Sequence, residues 1–154
     1  MPNISPSKPF PWKCSECRQQ AVQPKTIAYT TRIEHDARTY EVSLPDLDVF
    51  QCENCGDMIL DDLANQRITQ ALREQANLLT PYELRSNRER LGFTQKELAT
   101  RLGIAESTLS RWETGVQIQQ RSLDRFLRLF FRLKEVRELL AQAPPAPSIS
   151  TQIF

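Results

Sequence analysis

The sequence predicts an α+β chain: a small N-terminal β-hairpin unit organised by cysteines, joined by a helix to an all-α unit of five helices. Three observations predict it. All four cysteines fall in two pairs of equal internal spacing, CSEC (Cys14 to Cys17) and CENC (Cys52 to Cys55). The chain between the pairs holds two runs rich in β-branched and aromatic residues. Beyond Asp61, apolar residues recur at helical spacing between capping residues and glycines. At 154 residues and 40% hydrophobic content, two small cores fit better than one large one. The boundaries expected are a flexible tail at 1–10, a cysteine domain at 11–60, a linking helix at 61–79, a helical domain at 80–142 and a second flexible tail at 143–154.

The tails are read from composition, with Pro144, Pro145 and Pro147 at one end and prolines and serines at the other. The basic N-terminus is not followed by the apolar stretch of a signal peptide, and no run of about 18 apolar residues occurs. The expectation is a soluble, cytoplasmic protein without a membrane partner, and there thiols stay reduced. Four such thiols in two C-x2-C turns favour a metal over a redox motif or unrelated free cysteines, because each tight turn aims two sulfurs at one ion. Cys14, Cys17, Cys52 and Cys55 are the expected ligands of one structural zinc ion. Four thiolates complete its tetrahedron and leave no position to activate water.

The pairs are 34 residues apart, so the chain must double back. Thr26 to Glu34 and Thr39 to Leu44 read as the two strands, His35 to Arg38 as the turn, and Pro45-Asp46 as a bend into Val49-Phe50. His35, the one histidine, reads as a solvated turn residue. Gly56 closes the second cysteine turn. Asp61-Asp62 caps a helix running to about Leu78, with Leu63, Ile68, Ala71, Leu72 and Leu79 on one stripe; a linking helix and a core helix both fit this pattern.

Thr80-Pro81-Tyr82-Glu83 is a helix start with a threonine cap, proline at the first position and a glutamate to close a capping box. In FTQKELATRLGIAESTLSRWETG (Phe93 to Gly115), Thr94 caps one helix, Gly103 ends it, and a second runs from near Ala105 to Thr114. Leu98, Leu102, Ile104, Leu109 and Trp112 are spaced to be buried between them, with Ala99 at a close crossing; Glu106, Ser107, Ser110 and Arg111 face outward.

This stretch resembles the XRE family of Cro and lambda-repressor-like domains, on Gln95, Ala99, Gly103, Leu109 and Trp112-Glu113-Thr114-Gly115. The resemblance implies a lambda-repressor-like five-helix domain whose second motif helix enters the major groove of double-stranded DNA. The candidate DNA-binding residues are Gln95, Glu106, Ser107, Ser110 and Arg111, with Arg111 gripping a guanine and Gln95 donating to a phosphate. Charge agrees: residues 80–154 hold 12 Lys and Arg against 8 Asp and Glu, while 1–79 hold 8 against 11.

A double C-x2-C hairpin, a joining helix and an XRE motif together resemble the YgiT-type zinc-finger antitoxins of the MqsA family, on CSEC, CENCG, DMILDD and the helix-turn-helix. That resemblance implies an antitoxin of a type II toxin-antitoxin system. Its zinc domain neutralises a cognate toxin, often an mRNA-cleaving ribonuclease, and its helical domain represses its own operon. The family's base-reading asparagine and arginine fall on Ser107 and Arg111, so one match is kept and the other altered, which bears on the operator sequence and not on DNA binding itself. The alternative is a stand-alone zinc-containing XRE-family regulator. An enzyme is not expected, as the sequence offers no Gly-rich phosphate loop and no histidine-based triad. The apolar surplus of Gln120 to Leu140 points to a homodimer through Phe126, Phe130, Phe131 and Leu133 on a palindromic operator, unless all of it is core.

Overall fold

In a computed structural model, residues 8–142 are described, and the chain divides between Ala76 and Asn77 into two compact units. The expected tail segments 1–7 and 143–154 lie outside the described residues.

The first unit is an antiparallel sheet of order β1-β2-β3-β4, made of β1 (Trp12–Lys13), β2 (Gln20–His35), β3 (Arg38–Cys52) and β4 (Met58–Ile59), with α1 (Asp62–Gln75) against β3. The hairpin is longer than the sequence implied. Its strands pair from Val22↔Cys52 to His35↔Arg38, so the two ends of the loop between the cysteine pairs meet. Asp36 and Ala37 make the turn at φ 51° and 55°, the left-handed pair that a two-residue hairpin turn requires.

Pro45-Asp46 does not bend the chain out of the sheet. The ladder passes from Tyr29↔Leu44 to Ile27↔Leu47, so Pro45 and Asp46 oppose Ala28 as a bulge inside one continuous strand. The extra residue reverses the alternation. Val42 is buried on the near side of the bulge and Leu47 and Val49 beyond it, which period-two reading could not anticipate.

Asp61 caps α1, its side chain accepting from Ala64 N at 2.8 Å. Ala64, Ile68 and Leu72 are buried, but Leu63 is 69% exposed and so stands off the expected stripe. Two side chains pin the helix to β3: the Gln75 amide donates to Glu41 O at 2.7 Å, and Arg67 pairs with the Asp46 carboxylate at 3.0 Å while also reaching Asp46 O.

Among the described residues the second unit has five helices: α2 (Pro81–Arg90), α3 (Gln95–Leu102), α4 (Glu106–Glu113), α5 (Arg121–Arg132) and α6 (Lys134–Gln142). Thr80 with Glu83, and Thr94 with Glu97, form full capping boxes at α2 and α3. Gly103, at φ 72°, ends α3 in the left-handed conformation and lets Ile104 N reach Ala99 O at 3.0 Å. The core gathers Leu79, Leu84, Leu98, Ala99, Leu109, Trp112, Leu127, Phe130 and Phe131. Leu79, read in sequence as the end of the linking helix, belongs to this core. A buried polar knot ties that segment down: Asp124 accepts from Leu79 N at 2.7 Å and Arg128 Nε at 2.7 Å, and Gln119 donates to Leu79 O at 2.8 Å.

Candidate metal centre and nucleic-acid interface

The two cysteine turns have one design. In each, the first cysteine donates its N–H to a carbonyl five residues on, Cys14 to Gln19 O and Cys52 to Asp57 O, both at 2.8 Å. In each, the first cysteine's carbonyl accepts from the residue after the second cysteine, Arg18 at 3.1 Å and Gly56 at 2.9 Å. Arg18 and Gly56 both take positive φ, 61° and 80°. Glycine suits that conformation; Arg18 adopts it against its Cβ, a repeat that spacing alone does not reveal. Glu53 N donates to Ala21 O at 2.8 Å and locks the second turn beside the first.

Four sulfurs converge as a result. Cys14, Cys17, Cys52 and Cys55 lie with all Sγ atoms within 4.8 Å of one another, and no disulfide joins them. Cys14 Sγ is 3.7 Å from Cys55 Sγ, and Cys17 Sγ is 3.6 Å from Cys52 Sγ. A tetrahedral ion with metal–sulfur bonds of about 2.3 Å sets its sulfurs about 3.8 Å apart, so the cluster fits one such ion. Cys14 and Cys52 are buried at 1% exposure each, packed with Val22, Trp12 and Phe50. Phe10, placed in the tail by the sequence reading, stacks on Trp12 at 4.5 Å and Phe50 at 5.7 Å, extending this apolar wall.

The thiols are not alike. Hydrogen bonding from the Asn54 side chain, then from the Gln19 backbone, lowers Cys17 to about 6. The Asp57 backbone also favours the Cys55 thiolate, but burial and the neighbouring sulfurs outweigh it and push Cys55 up to about 12. A cation is what allows all four to be thiolate together. Asn54 and Asp57, whose Oδ2 lies 3.8 Å from Cys14 Sγ, were not foreseen as part of the centre; only their place within and beside CENC marks them. An ion held by all four sulfurs would staple the hairpin ends to the β1 turn and, with its tetrahedron filled by protein ligands, would serve structure.

In the second unit, α3 and α4 carry the expected nucleic-acid residues. Glu106, Ser107 and Arg111 are exposed on α4, and Ser110 is half-buried. Gln95 is half-buried as well, and its amide donates to Glu113 Oε2 at 2.8 Å, so one of the hydrogens expected on phosphate is already used within the protein. Glu113 was named in sequence as part of the WETG resemblance, with no role given to its side chain. Its carboxylate takes Arg88 in a fork, Nε at 2.7 Å and Nη2 at 3.0 Å, while Arg88 Nη1 holds Phe93 O at 2.8 Å. The Glu113 hydrogen bond raises the Arg88 pKa above its ordinary value. The glutamate of the WETG segment thus fixes α2, the α3 start and α4 in one arrangement.

Compared with known families, residues 84–132 match a family model described as Helix-turn-helix. This is an XRE-type helix-turn-helix domain. The helix-turn-helix domain is a DNA-binding regulator fold, with α3 and α4 as its motif and the match running on through α5. No curated protein matches the chain. Among the described residues, no helix is long and apolar enough to cross a membrane.

The expected dimer residues divide. Phe130 and Phe131 are 0% and 4% exposed and fill the core of the second unit, which leaves them little surface to offer a second copy. Phe126 is half-buried, and Leu133, Leu129 and Leu139 are 43%, 49% and 68% exposed; the sequence reading did not single out the last two as interface residues.

Proposed function

We propose that the chain is a type II antitoxin: a repressor of its own operon whose four-cysteine unit, held by one structural zinc ion, neutralises a cognate toxin that cleaves mRNA. One observation carries this reading. A net acidic, metal-competent unit is separated from a net basic helix-turn-helix unit in a single short chain. A ribonuclease presents a basic surface to RNA, and an acidic module complements it, steering association. The basic unit suits polyanionic DNA. Zinc is the ion favoured by four thiolates in a closed tetrahedron, and its role is to hold the fold.

On DNA, Arg111 reaches guanine O6 and N7 from the exposed side of α4, and Ser107 and Glu106 meet neighbouring base edges at the start of that helix. Ser110 lies on the same helix toward the backbone, and the Gln95 amide, oriented by Glu113, keeps one hydrogen for a phosphate. Leu129, Leu133 and Leu139 with Phe126 form the surface for a second copy. A two-fold dimer then sets two α4 helices about 34–36 Å apart on a palindromic operator.

Co-expression with the product of the adjacent gene tests the reading. A stable complex and rescue of growth are expected; failure of both discards the antitoxin role. Retardation of the chain's own promoter fragment tests the repressor role separately. The helix-turn-helix match at 84–132 also supports a second reading, a stand-alone zinc-containing regulator, for which the promoter shifts and no toxin is bound.

A further inference from the structure

The four sulfurs differ in access as well as position. Cys14 and Cys52 are 1% exposed, Cys17 is half-buried, and Cys55 is exposed. Two close sulfur contacts run between the two cysteine turns, Cys14 with Cys55 at 3.7 Å and Cys17 with Cys52 at 3.6 Å, in a cluster whose sulfurs all lie within 4.8 Å of one another. Each contact therefore joins a sulfur that solvent can reach to one that it cannot.

We propose that the cluster is a hydroperoxide-sensitive modification site in which Cys55 and Cys17 are oxidised first and Cys14 and Cys52 resolve them, giving two disulfides that cross between the turns. In each pair the accessible thiolate attacks one peroxide oxygen, the O–O bond breaks, and a sulfenic acid forms as the leaving hydroxide takes a proton to become water. The buried thiolate then attacks the sulfenic sulfur, the S–O bond breaks, and a second water leaves with another proton. Each pair loses two electrons to one peroxide. With the ion bound, four thiolates, two hydrogen peroxide molecules and four protons give two disulfides, four waters and the free divalent cation.

Connectivity matters because of where the cysteines sit. The pairs are 41 and 35 residues apart in sequence, one member before β2 and the other at or beyond the end of β3. Crossed disulfides keep the ends of the hairpin tied after the ion leaves, whereas disulfides inside each C-x2-C would release them. The site would thus trade a metal staple for a covalent one, with β2 and β3 still paired.

The release step rests on the metal reading, but the disulfide pattern does not. The full chain, purified with its metal, is titrated with hydrogen peroxide while a chromogenic chelator follows the ion. It is then alkylated and digested with a protease that cuts after glutamate, which separates both pairs at Glu16 and Glu53. The expected result is one ion released per two peroxides, with Cys14–Cys55 and Cys17–Cys52 linkages by mass spectrometry, reversed by dithiothreitol and added zinc. Linkages Cys14–Cys17 and Cys52–Cys55, a scrambled mixture, or sulfinic acids without disulfide would overturn the proposal. Protein isolated without metal discards the metal reading alone, since the linkages are scored all the same. In Cys55→Ser the Cys17–Cys52 bond should form and Cys14 remain a thiol; if that variant does not fold, the wild-type linkages still decide.

Discussion

Glu113 serves three helices of the second unit with one carboxylate, taking Arg88 from α2 and Gln95 from α3 while anchored on α4. Its side chain is 3% exposed and that of Arg88 is 10%, so removing Glu113 leaves Arg88 with only Phe93 O and the more exposed Glu89 carboxylate at 3.7 Å, and removing Arg88 leaves Glu113 with the Gln95 amide as its remaining described partner. Glu113→Ala should cost about 3–5 kcal/mol, read as loss or early onset of the cooperative helical melt. The double replacement Arg88→Met with Glu113→Leu should recover much of that loss, because an apolar pair leaves no charge to desolvate. Arg111 is a different case. It is exposed on α4, and no hydrogen bond to its side chain is seen among the described residues. Arg111→Ala should leave the melt unchanged, weaken operator binding, and flatten preference at one base position by about 1–3 kcal/mol. Binding measured against a set of single-base operator variants checks it, and a uniform loss at every position would count against base reading. The WETG glutamate was visible in the sequence as part of a resemblance; its partner Arg88, 25 residues earlier, was not, since no local pattern joins them.

At the level of elements, the hairpin turn and the helix caps set the local stability. Ala37 holds a left-handed conformation at φ 55°, which costs an alanine about 1–2 kcal/mol. Ala37→Gly creates an Asp-Gly turn and should stabilise the first unit by about 1 kcal/mol, seen as a higher denaturant midpoint for its unfolding. The α3 cap titrates in the opposite sense from a buried acid. Glu97 is held below its ordinary pKa, first by the Thr94 backbone N–H and then by the Thr94 hydroxyl. A depressed folded-state value means that its stabilisation is complete above the unfolded pKa and is lost as pH falls through the folded one. Helicity of the second unit should therefore decline on acidification below about pH 4.5, and Glu97→Gln should flatten that decline in circular dichroism. The cap at Thr80 and the αL end at Gly103 were legible because each needs only residues within four positions. The bulge at Pro45-Asp46 was not, because proline and aspartate read as a turn until the register against Ala28 is known.

The molecule as a whole is two units with separate sources of stability. The first has a small core around its cysteines and α1, and metal binding there is folding free energy. Chelation, or Cys52→Ser, should unfold the first unit while the helical melt of the second persists. Limited proteolysis with and without chelator checks it, and an N-terminal unit still resistant after metal loss would refute it. Two cysteine pairs at matching spacing, capped helices and an αL glycine between two short helices are local statements, fixed by backbone geometry and donor chemistry within a few residues. The amino-acid string alone therefore determined an α+β chain with a four-cysteine cluster and a helix-turn-helix. Other features waited on the three-dimensional arrangement: the close sulfur contacts between the two turns, the Arg88–Glu113 fork, the Asp124 knot that pins Leu79, and the burial of Phe130 and Phe131 in place of Leu129 and Leu139. Each of these depends on groups tens of residues apart meeting across packed elements, and a periodic pattern tells which residues are apolar without telling which side of a helix its neighbours will cover.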